Sequence, residues 1–103
     1  MCITYLIRFR VRSQQRETFL ALLDAVLDAM RHEPTFRDAA LHRDPQDPDR
    51  FMLCETWTSH EDVLEVQLHR PYRAAWHAAL PELLQEPRDI TIWQRQRLDR
   101  HCA

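Results

Sequence analysis

Apolar and polar positions follow two different periods along the first third of the chain. In residues 3–11, ITYLIRFRV, apolar side chains occupy every second position, which predicts a strand. Ser13 is a suitable helix N-cap, and residues 13–32 carry apolar side chains three and four positions apart, which predicts an amphipathic helix. The Glu33-Pro34 pair predicts the end of this helix, because proline disfavours the helical conformation in the residue before it.

The middle of the chain predicts two strands joined by a turn. Residues 36–43 are a strand candidate, residues 44–49 (DPQDPD) have the composition of a turn, and residues 50–58 alternate as a strand does. Ser59 is the expected N-cap of a second helix, which we expect to continue to about His69. Acidic residues in its first turn suit the helix dipole.

The last third of the chain completes a recurring arrangement. Pro71 interrupts the second helix and opens a further helical segment, whose apolar stripe starts at Tyr72 and which Pro81 is expected to kink or end. Residues 89–98 predict the last strand. The order β-α-β-β-α-β predicts an α+β, ferredoxin-like fold: one domain over residues 1–103, with a four-stranded antiparallel sheet and two helices on one face.

The sheet face opposite the helices is half apolar. It carries Leu6, Met52, Cys54 and Trp93 among arginines and threonines. Such a face is more apolar than a typical solvent-exposed surface and more polar than a hydrophobic core. We therefore expect it to pack against a second copy of the chain. A two-fold homodimer is the commonest arrangement of this kind.

The composition of the chain excludes several classes of function. The 103 residues contain no glycine, lysine or asparagine, so the chain has no glycine-rich phosphate loop, no GxGxxG dinucleotide motif and no Schiff-base lysine. A net charge of −2 argues against nucleic acid. The three cysteines form no CxxC pair, and no two histidines stand four apart on a helix, so we expect no metal site. No apolar run is long enough for a membrane and no signal peptide is evident, which predicts the cytoplasm.

One carboxylate falls on an apolar face. Phe51, Leu53, Glu55 and Trp57 alternate along the third strand and therefore point to the same side. A buried carboxylate without a partner is costly, which predicts donors near Glu55. Its candidate partners are Arg8, His69 and Tyr72. Glu55 is then either a structural anchor between the sheet and the helices or a catalytic base.

These pieces together resemble the antibiotic biosynthesis monooxygenase (ABM) family over roughly residues 3–97. The motifs that carry the resemblance are Glu33-Pro34, the F-x-L-x-E-x-W strand from Phe51 to Trp57, the capping Ser59, and Pro71-Tyr72. The resemblance implies a dimeric α+β barrel with a pocket between the helices and the sheet of each subunit. For quinol-oxidising members it also implies oxidation of a small aromatic molecule without metal, flavin or other cofactor.

Such a reaction needs an aromatic pocket and a base that deprotonates a phenol. The base candidates are His69 first and Glu55 second; the resemblance also implies Trp57 as a site residue, and Arg8 is the candidate for stabilising an oxyanion. The candidate lining residues are Tyr5, Phe9, Phe51, Trp57, Tyr72 and Trp76. The alternative interpretation of these aromatic side chains is ordinary core.

The chain departs from the family pattern at several positions. Thr35 stands where members usually carry the glycine of Glu-Pro-Gly, and the helix-two histidine of quinol-oxidising members falls on Val66 or Gln67. The haem-degrading branch uses an asparagine, a tryptophan and a histidine, whose positions fall on Ile7, again Val66 or Gln67, and His77. A haem-binding member and a non-catalytic, dimeric small-molecule-binding module are therefore the alternative functions.

Overall fold

A computed structural model describes residues 2–102, so Met1 and Ala103 of the predicted domain lie outside the described residues. Its elements are β1 (Ile3–Arg10), α1 (Arg16–Met30), β2 (Phe36–Asp44), β3 (Asp47–Trp57), α2 (His60–Glu65), α3 (Ala74–Leu83) and β4 (Asp89–Gln94). The strands form one antiparallel sheet in the order β2-β3-β1-β4. The predicted ferredoxin-like α+β fold is confirmed, and residues 2–102 contain three α-helices because the second helical region is divided into α2 and α3.

The register of the sheet fixes which residues face the helices. Tyr5 of β1 lies opposite Glu55 of β3 on one side and opposite Ile92 of β4 on the other. Ile7 lies between Leu53 and Ile90 in the next row. Because side chains alternate along a strand, these two rows point to the same face of the sheet, under the helices.

The core lies between α1, α3 and the sheet, and aromatic rings dominate it. The ring of Phe19 on α1 is 5.1 Å from that of Phe9, 5.1 Å from that of Phe51 and 5.5 Å from that of Trp76. All four side chains are buried. Burying a large apolar side chain stabilises a fold by roughly 1.5–3 kcal/mol, so this cluster holds α1 and α3 in place over the sheet.

Helix α1 begins later than its sequence predicts. Residues Ser13–Gln15 form a single 3₁₀ turn, and the α-helix starts at Arg16. The prediction that Ser13 is the N-cap was wrong, because its hydroxyl donates to Asp49 Oδ2 at 2.6 Å across the chain. A carboxylate acceptor that is distant in sequence thus replaces the local helix cap.

The predicted continuous helix to His69 was wrong as well. The hydroxyl oxygen of Ser59 does cap α2, accepting from the backbone N–H of Asp62 at 3.0 Å, but the α-helix ends after six residues. A 3₁₀ turn over Gln67–His69 follows, and a second one over Pro71–Arg73 leads into α3. The segment between α2 and α3 therefore consists of two tight turns.

A polar cluster holds these turns against the end of α1. We call it the Glu33 cluster; its members are Glu33, Thr35, Asp62, Gln67, Arg70 and Tyr72. The amide of Gln67 donates to Glu33 and to Asp62, each at 3.1 Å. Thr35, at the position of the usual family glycine, donates to Asp62 Oδ2 at 2.6 Å, and this bond together with that from Gln67 lowers the pKa of Asp62.

Strand ends also differ from the predicted limits. The turn expected over residues 44–49 is shorter, because β2 extends to Asp44 and β3 begins at Asp47. Strand β4 ends at Gln94, so Leu98 lies beyond it. Helix α3 includes Pro81 and ends two residues later. None of the helices in residues 2–102 has the length and apolar character needed to cross a bilayer.

Candidate functional site

A cavity of about 170 Å³ lies between the helix-facing side of the sheet and the helices. Apolar side chains of β1, β3, β4, α1 and α2 form most of its wall. Its ionisable residues are Tyr5, Glu55, His60, Arg73, His77 and Arg88. The cavity thus combines a mainly apolar wall with a small number of groups that can exchange or bind protons, as ligand sites commonly do.

Glu55 lies in the floor of the cavity and is 6% exposed. Its Oε1 accepts a hydrogen bond of 3.1 Å from the indole nitrogen of Trp57. Burial raises the pKa of Glu55, and the Trp57 bond and the positive charges of Arg73 and Arg88 oppose this only in part. The carboxyl group therefore keeps its proton to a higher pH than a solvent-exposed glutamate does.

Tyr5 and His60 form a hydrogen-bonded pair on the cavity wall. The phenol oxygen of Tyr5 is 2.5 Å from His60 Nδ1, and the two ring centroids are 5.8 Å apart. Burial and, secondarily, the charge of Glu55 raise the pKa of Tyr5 above 10.0, so the phenol keeps its proton at neutral pH. This pair joins the start of α2 to the centre of the sheet.

Two arginines, Arg73 and Arg88, bring positive charge to the cavity wall, and His77 lines the same cavity. Arg73 is buried, and its guanidinium carbon lies 5.8 Å from the ring centroids of both Trp57 and Tyr72. Burial lowers the pKa of His77, and the charges of Arg88 and Arg73 lower it further. His77 is therefore a neutral imidazole at pH 7, which can accept a proton.

Five of the predicted site residues do meet here. Tyr5, Glu55, Phe9 and Trp76 line the cavity, and Trp57 lies behind its floor, completely buried and bonded to Glu55. The alternating pattern of β1 and β3 places Tyr5, Phe9, Glu55 and Trp57 on one face of the sheet, and Trp76 is a buried residue of α3. Their proximity was predictable from the sequence, whereas their roles in a reaction stay a prediction.

The other predicted site residues lie elsewhere. Arg8 points to the outer face of the sheet, where its Nη1 is 3.4 Å from Asp89 Oδ2, so it is not a partner of Glu55. His69 is exposed in its 3₁₀ turn and does not line the cavity, which removes the geometric basis for its proposed role as the base. Phe51 packs in the core against Phe19.

Tyr72 belongs to the Glu33 cluster and does not bond Glu55. Its hydroxyl oxygen is 3.4 Å from Glu33 Oε1 and 3.4 Å from Gln67 Oε1, so the two oxygens share its one proton as acceptors. Gln67, one of the two positions that correspond to the family's helix-two histidine, is 1% exposed within the same cluster and likewise does not line the cavity. The other position, Val66, is exposed.

His60, Arg73 and Arg88 are cavity residues that the sequence-based prediction missed. Arg73 stands three residues before Trp76 on one helical stripe, a spacing that could have placed it on the buried side. His60 precedes the buried Val63 by the same spacing. Arg88 lies in the loop before β4, and no periodic pattern marks it.

Metal-binding groups do not gather anywhere in residues 2–102: no three His, Cys, Asp or Glu side chains lie close enough together to hold an ion. This observation does not test whether the protein uses a metal or another cofactor, so the expectation of no cofactor stays a prediction.

Comparisons with known proteins agree on the fold and the family. Residues 2–86 match the antibiotic biosynthesis monooxygenase family. A protein of Pestalotiopsis microspora, named a "putative monooxygenase", is 30% identical over 90 residues, which are 86% of this chain and 75% of that protein. The structure of Rv0793 from Mycobacterium tuberculosis is similar with a TM-score of 0.84 and 24% identity, over 95% of this chain and 98% of that one.

SnoaB, a cofactor-independent oxygenase from Streptomyces nogalater, has a TM-score of 0.79 and 20% identity, over 94% of this chain and 95% of its own. At such identities the structural similarities show a shared fold. The family match over residues 2–86 covers most of the 103 residues, so it shows family membership as well as fold. The chain belongs to the antibiotic biosynthesis monooxygenase family.

Proposed function

We propose that this protein is a cofactor-independent monooxygenase that oxidises a quinol or a similar small aromatic molecule in the cavity under its helices. The observation that carries the proposal is the mainly apolar cavity of about 170 Å³, in which a buried carboxyl group and a neutral imidazole face one space. Membership of the family supports monooxygenase chemistry, and SnoaB, with the same fold, is described as cofactor-independent.

The substrate itself supplies the electrons in this reaction. A base removes a phenol proton, and the resulting phenolate places negative charge on a ring carbon. That carbon reduces dioxygen and forms a C–O bond, which gives a hydroperoxide once a proton is added. The O–O bond then breaks, one oxygen atom stays on the ring as a carbonyl, and the other leaves as water. A quinol is thereby converted to a hydroxyquinone.

Two groups of the cavity, His77 and Glu55, have pKa values shifted in directions that suit opposite proton transfers. His77, neutral at pH 7 because its pKa is lowered, is the proposed base for the phenol. Glu55, whose pKa is raised by burial, is the proposed acid that gives a proton to the reduced oxygen. Since Oε1 of Glu55 accepts the Trp57 bond, the transferable proton belongs on Oε2.

Oxygen uptake by the metal-stripped protein tests this proposal. A panel of hydroquinones is offered, and uptake above the protein-free blank is compared between wild type and variants. His77→Gln should lower the rate by roughly 10²–10⁴-fold, the usual contribution of a positioned general base. His32→Gln, which makes the same change at an exposed histidine after α1, is the matched control.

A His69→Ala variant separates the sequence-based assignment from the geometric one. The sequence made His69 the first candidate for the base, although the family's helix-two histidine falls on Val66 or Gln67. The exposed position of His69 outside the cavity predicts that the variant keeps its rate. Labelling with ¹⁸O₂ should place one heavy atom in the product. Absence of uptake with every quinol, from folded protein, would contradict the proposal and favour the non-catalytic binding module.

We also propose a homodimer formed through the outer face of the sheet. Leu6, Met52 and Cys54 are half-buried on this face, and Trp93 is 58% exposed beside them. A large exposed indole next to three apolar side chains is typical of an interface. Two-fold packing of this face on itself covers all four residues at once.

A further inference from the structure

Arg73 is a buried cation that residues 2–102 leave incompletely bonded. The side chain is 5% exposed, and its Nε and Nη2 are buried without a hydrogen-bond partner in this part of the chain. The rings of Trp57 and Tyr72 lie near the guanidinium carbon at 5.8 Å, but an aromatic face is a poor substitute for an acceptor. Leaving such N–H groups unsatisfied is costly, so an acceptor is expected when the site is occupied.

The two unbonded nitrogens define the shape of that acceptor. Nε–H and one N–H of Nη2 point in the same direction along one edge of the guanidinium plane. This edge matches the two oxygens of a carboxylate, which it binds through two parallel hydrogen bonds. A single water or hydroxyl oxygen can accept both N–H groups only through bent, weaker hydrogen bonds.

The charge of the cavity favours an anion as well. Arg73 and Arg88 both line it, and no carboxylate of residues 2–102 forms an ion pair with either of them. Glu55 is the carboxyl group of the wall, and burial disfavours its charged form. The cavity wall is therefore short of negative charge.

The size of the cavity limits the ligand to a small molecule. A water molecule needs roughly 10–15 Å³ of the same kind of volume, so about 170 Å³ holds on the order of ten non-hydrogen atoms. Apolar side chains such as Ile7, Leu53 and Val26 offer contacts to the faces of a ring. One aromatic ring with a carboxylate and hydroxyl groups fits this limit.

We propose that the cavity binds an aromatic carboxylic acid, with its carboxylate held by the Nε–Nη2 edge of Arg73 and its ring against the apolar wall. Resting on the proposed function, this inference narrows the substrate class from quinols in general to quinols that carry a carboxylate. Arg73 is the residue that positions such a substrate, and Arg88 adds a second positive charge nearby.

Binding without oxygen tests this independently of turnover. The probes are 2,5-dihydroxybenzoate, its methyl ester and unsubstituted hydroquinone, titrated calorimetrically into wild-type protein under nitrogen. The acid should bind at least about tenfold more tightly than the ester, since a bidentate charged pair contributes at least that factor. In Arg73→Gln the preference should fall to about one, and Arg73→Lys should keep only part of it.

Arg97→Gln is the matched control, because Arg97 is exposed, lies outside the cavity and carries the same charge. The control should retain the wild-type preference for the acid. If Arg73→Gln does not fold, the comparison of acid with ester in wild type still decides the matter. Equal affinities for the two, or no binding of the acid, would overturn the proposal.

The outcome is separable from that of the proposed function. Preference for the acid without oxygen uptake would keep the carboxylate site and refute the oxygenase reaction. Oxygen uptake with hydroquinone and equal affinities for acid and ester would keep the reaction and overturn the carboxylate site.

Discussion

Replacing Glu55 with glutamine tests the electrostatics on which the site depends. Glutamine has nearly the same shape and keeps an oxygen that can accept the Trp57 indole N–H, which bonds Glu55 Oε1 at 3.1 Å. It differs in that it cannot ionise. Any difference between wild type and Glu55→Gln that changes with pH therefore reports the ionisation of this carboxyl group.

The sign of the effect follows from the direction of the pKa shift. Burial raises the folded-state pKa of Glu55 above the ordinary value of 4.5, so above that pH the folded state holds a proton that the unfolded state has released. Stability from the neutral form is complete below about pH 4.5 and is lost as pH rises through the folded pKa. Within that window one such group changes the unfolding free energy by up to about 1.4 kcal/mol per pH unit.

The Glu55→Gln variant does not lose stability in this way, because glutamine does not ionise. The free energy of unfolding of the variant minus that of wild type should rise with pH and reach a plateau above the folded pKa. Urea unfolding followed by far-ultraviolet circular dichroism, at steps between about pH 4 and pH 9, measures both curves. Glu82→Gln is the control, since it removes an exposed carboxyl group of α3 from the same chain.

A difference that stays flat, or falls with rising pH, would refute the reasoning. A fall would mean that the positive charges of Arg73 and Arg88 favour the carboxylate more than burial disfavours it. Glu55 would then be ionised at neutral pH and could not serve as the proposed acid. The same data thus test both the stability argument and the catalytic role.

Three further substitutions are tested by urea unfolding or light scattering. Trp57→Phe removes the hydrogen-bond donor to Glu55 and should lower the free energy of unfolding by about 1.5–3 kcal/mol. The loss should be larger at high pH than at low pH, because the bond favours the charged form of Glu55, and an equal loss at all pH values would contradict this. Ser59→Ala removes the cap that bonds the Asp62 N–H and should cost about 1 kcal/mol, with Ser59→Asp retaining the wild-type value. Trp93→Arg should convert a dimer of about twice 12.4 kDa into a monomer, and a monomeric wild type would refute the interface.

Regular periods made most of the fold predictable. The alternation in β1 and β3 and the helical stripe of α1 arise from side-chain directions that hold in any protein, so sequence alone indicates them. The predicted ends of elements were wrong where a residue distant in sequence provides a competing hydrogen-bond partner. Ser13 bonds Asp49 and not the start of α1, and Gln67 turns into the Glu33 cluster where a longer helix was expected.

The residues of the site were likewise predictable only where a regular pattern marks them. Glu55 and Tyr5 lie on strand faces and were found by alternation, whereas Arg73 and Arg88 were missed because long charged side chains are usually exposed. Arg8 is an instructive failure: its neighbours Ile7 and Phe9 face the helices, so alternation alone already assigned it to the other face. The haem-binding alternative stays open to a haemin titration, in which a new Soret band would support it.

The two interpretations of Glu55 make different demands on its contacts. A structural anchor between the sheet and the helices needs a bond from Glu55 to a helix residue. The hydrogen bond that Glu55 forms joins it instead to Trp57, two residues along the same strand, and no ion pair links it to Arg73 within residues 2–102. A buried carboxyl group such as Glu55 and a buried cation such as Arg73 both reduce stability when they form no ion pair with one another. Such an arrangement is typical of a site whose missing partner is a ligand, and it favours the functional interpretation of Glu55.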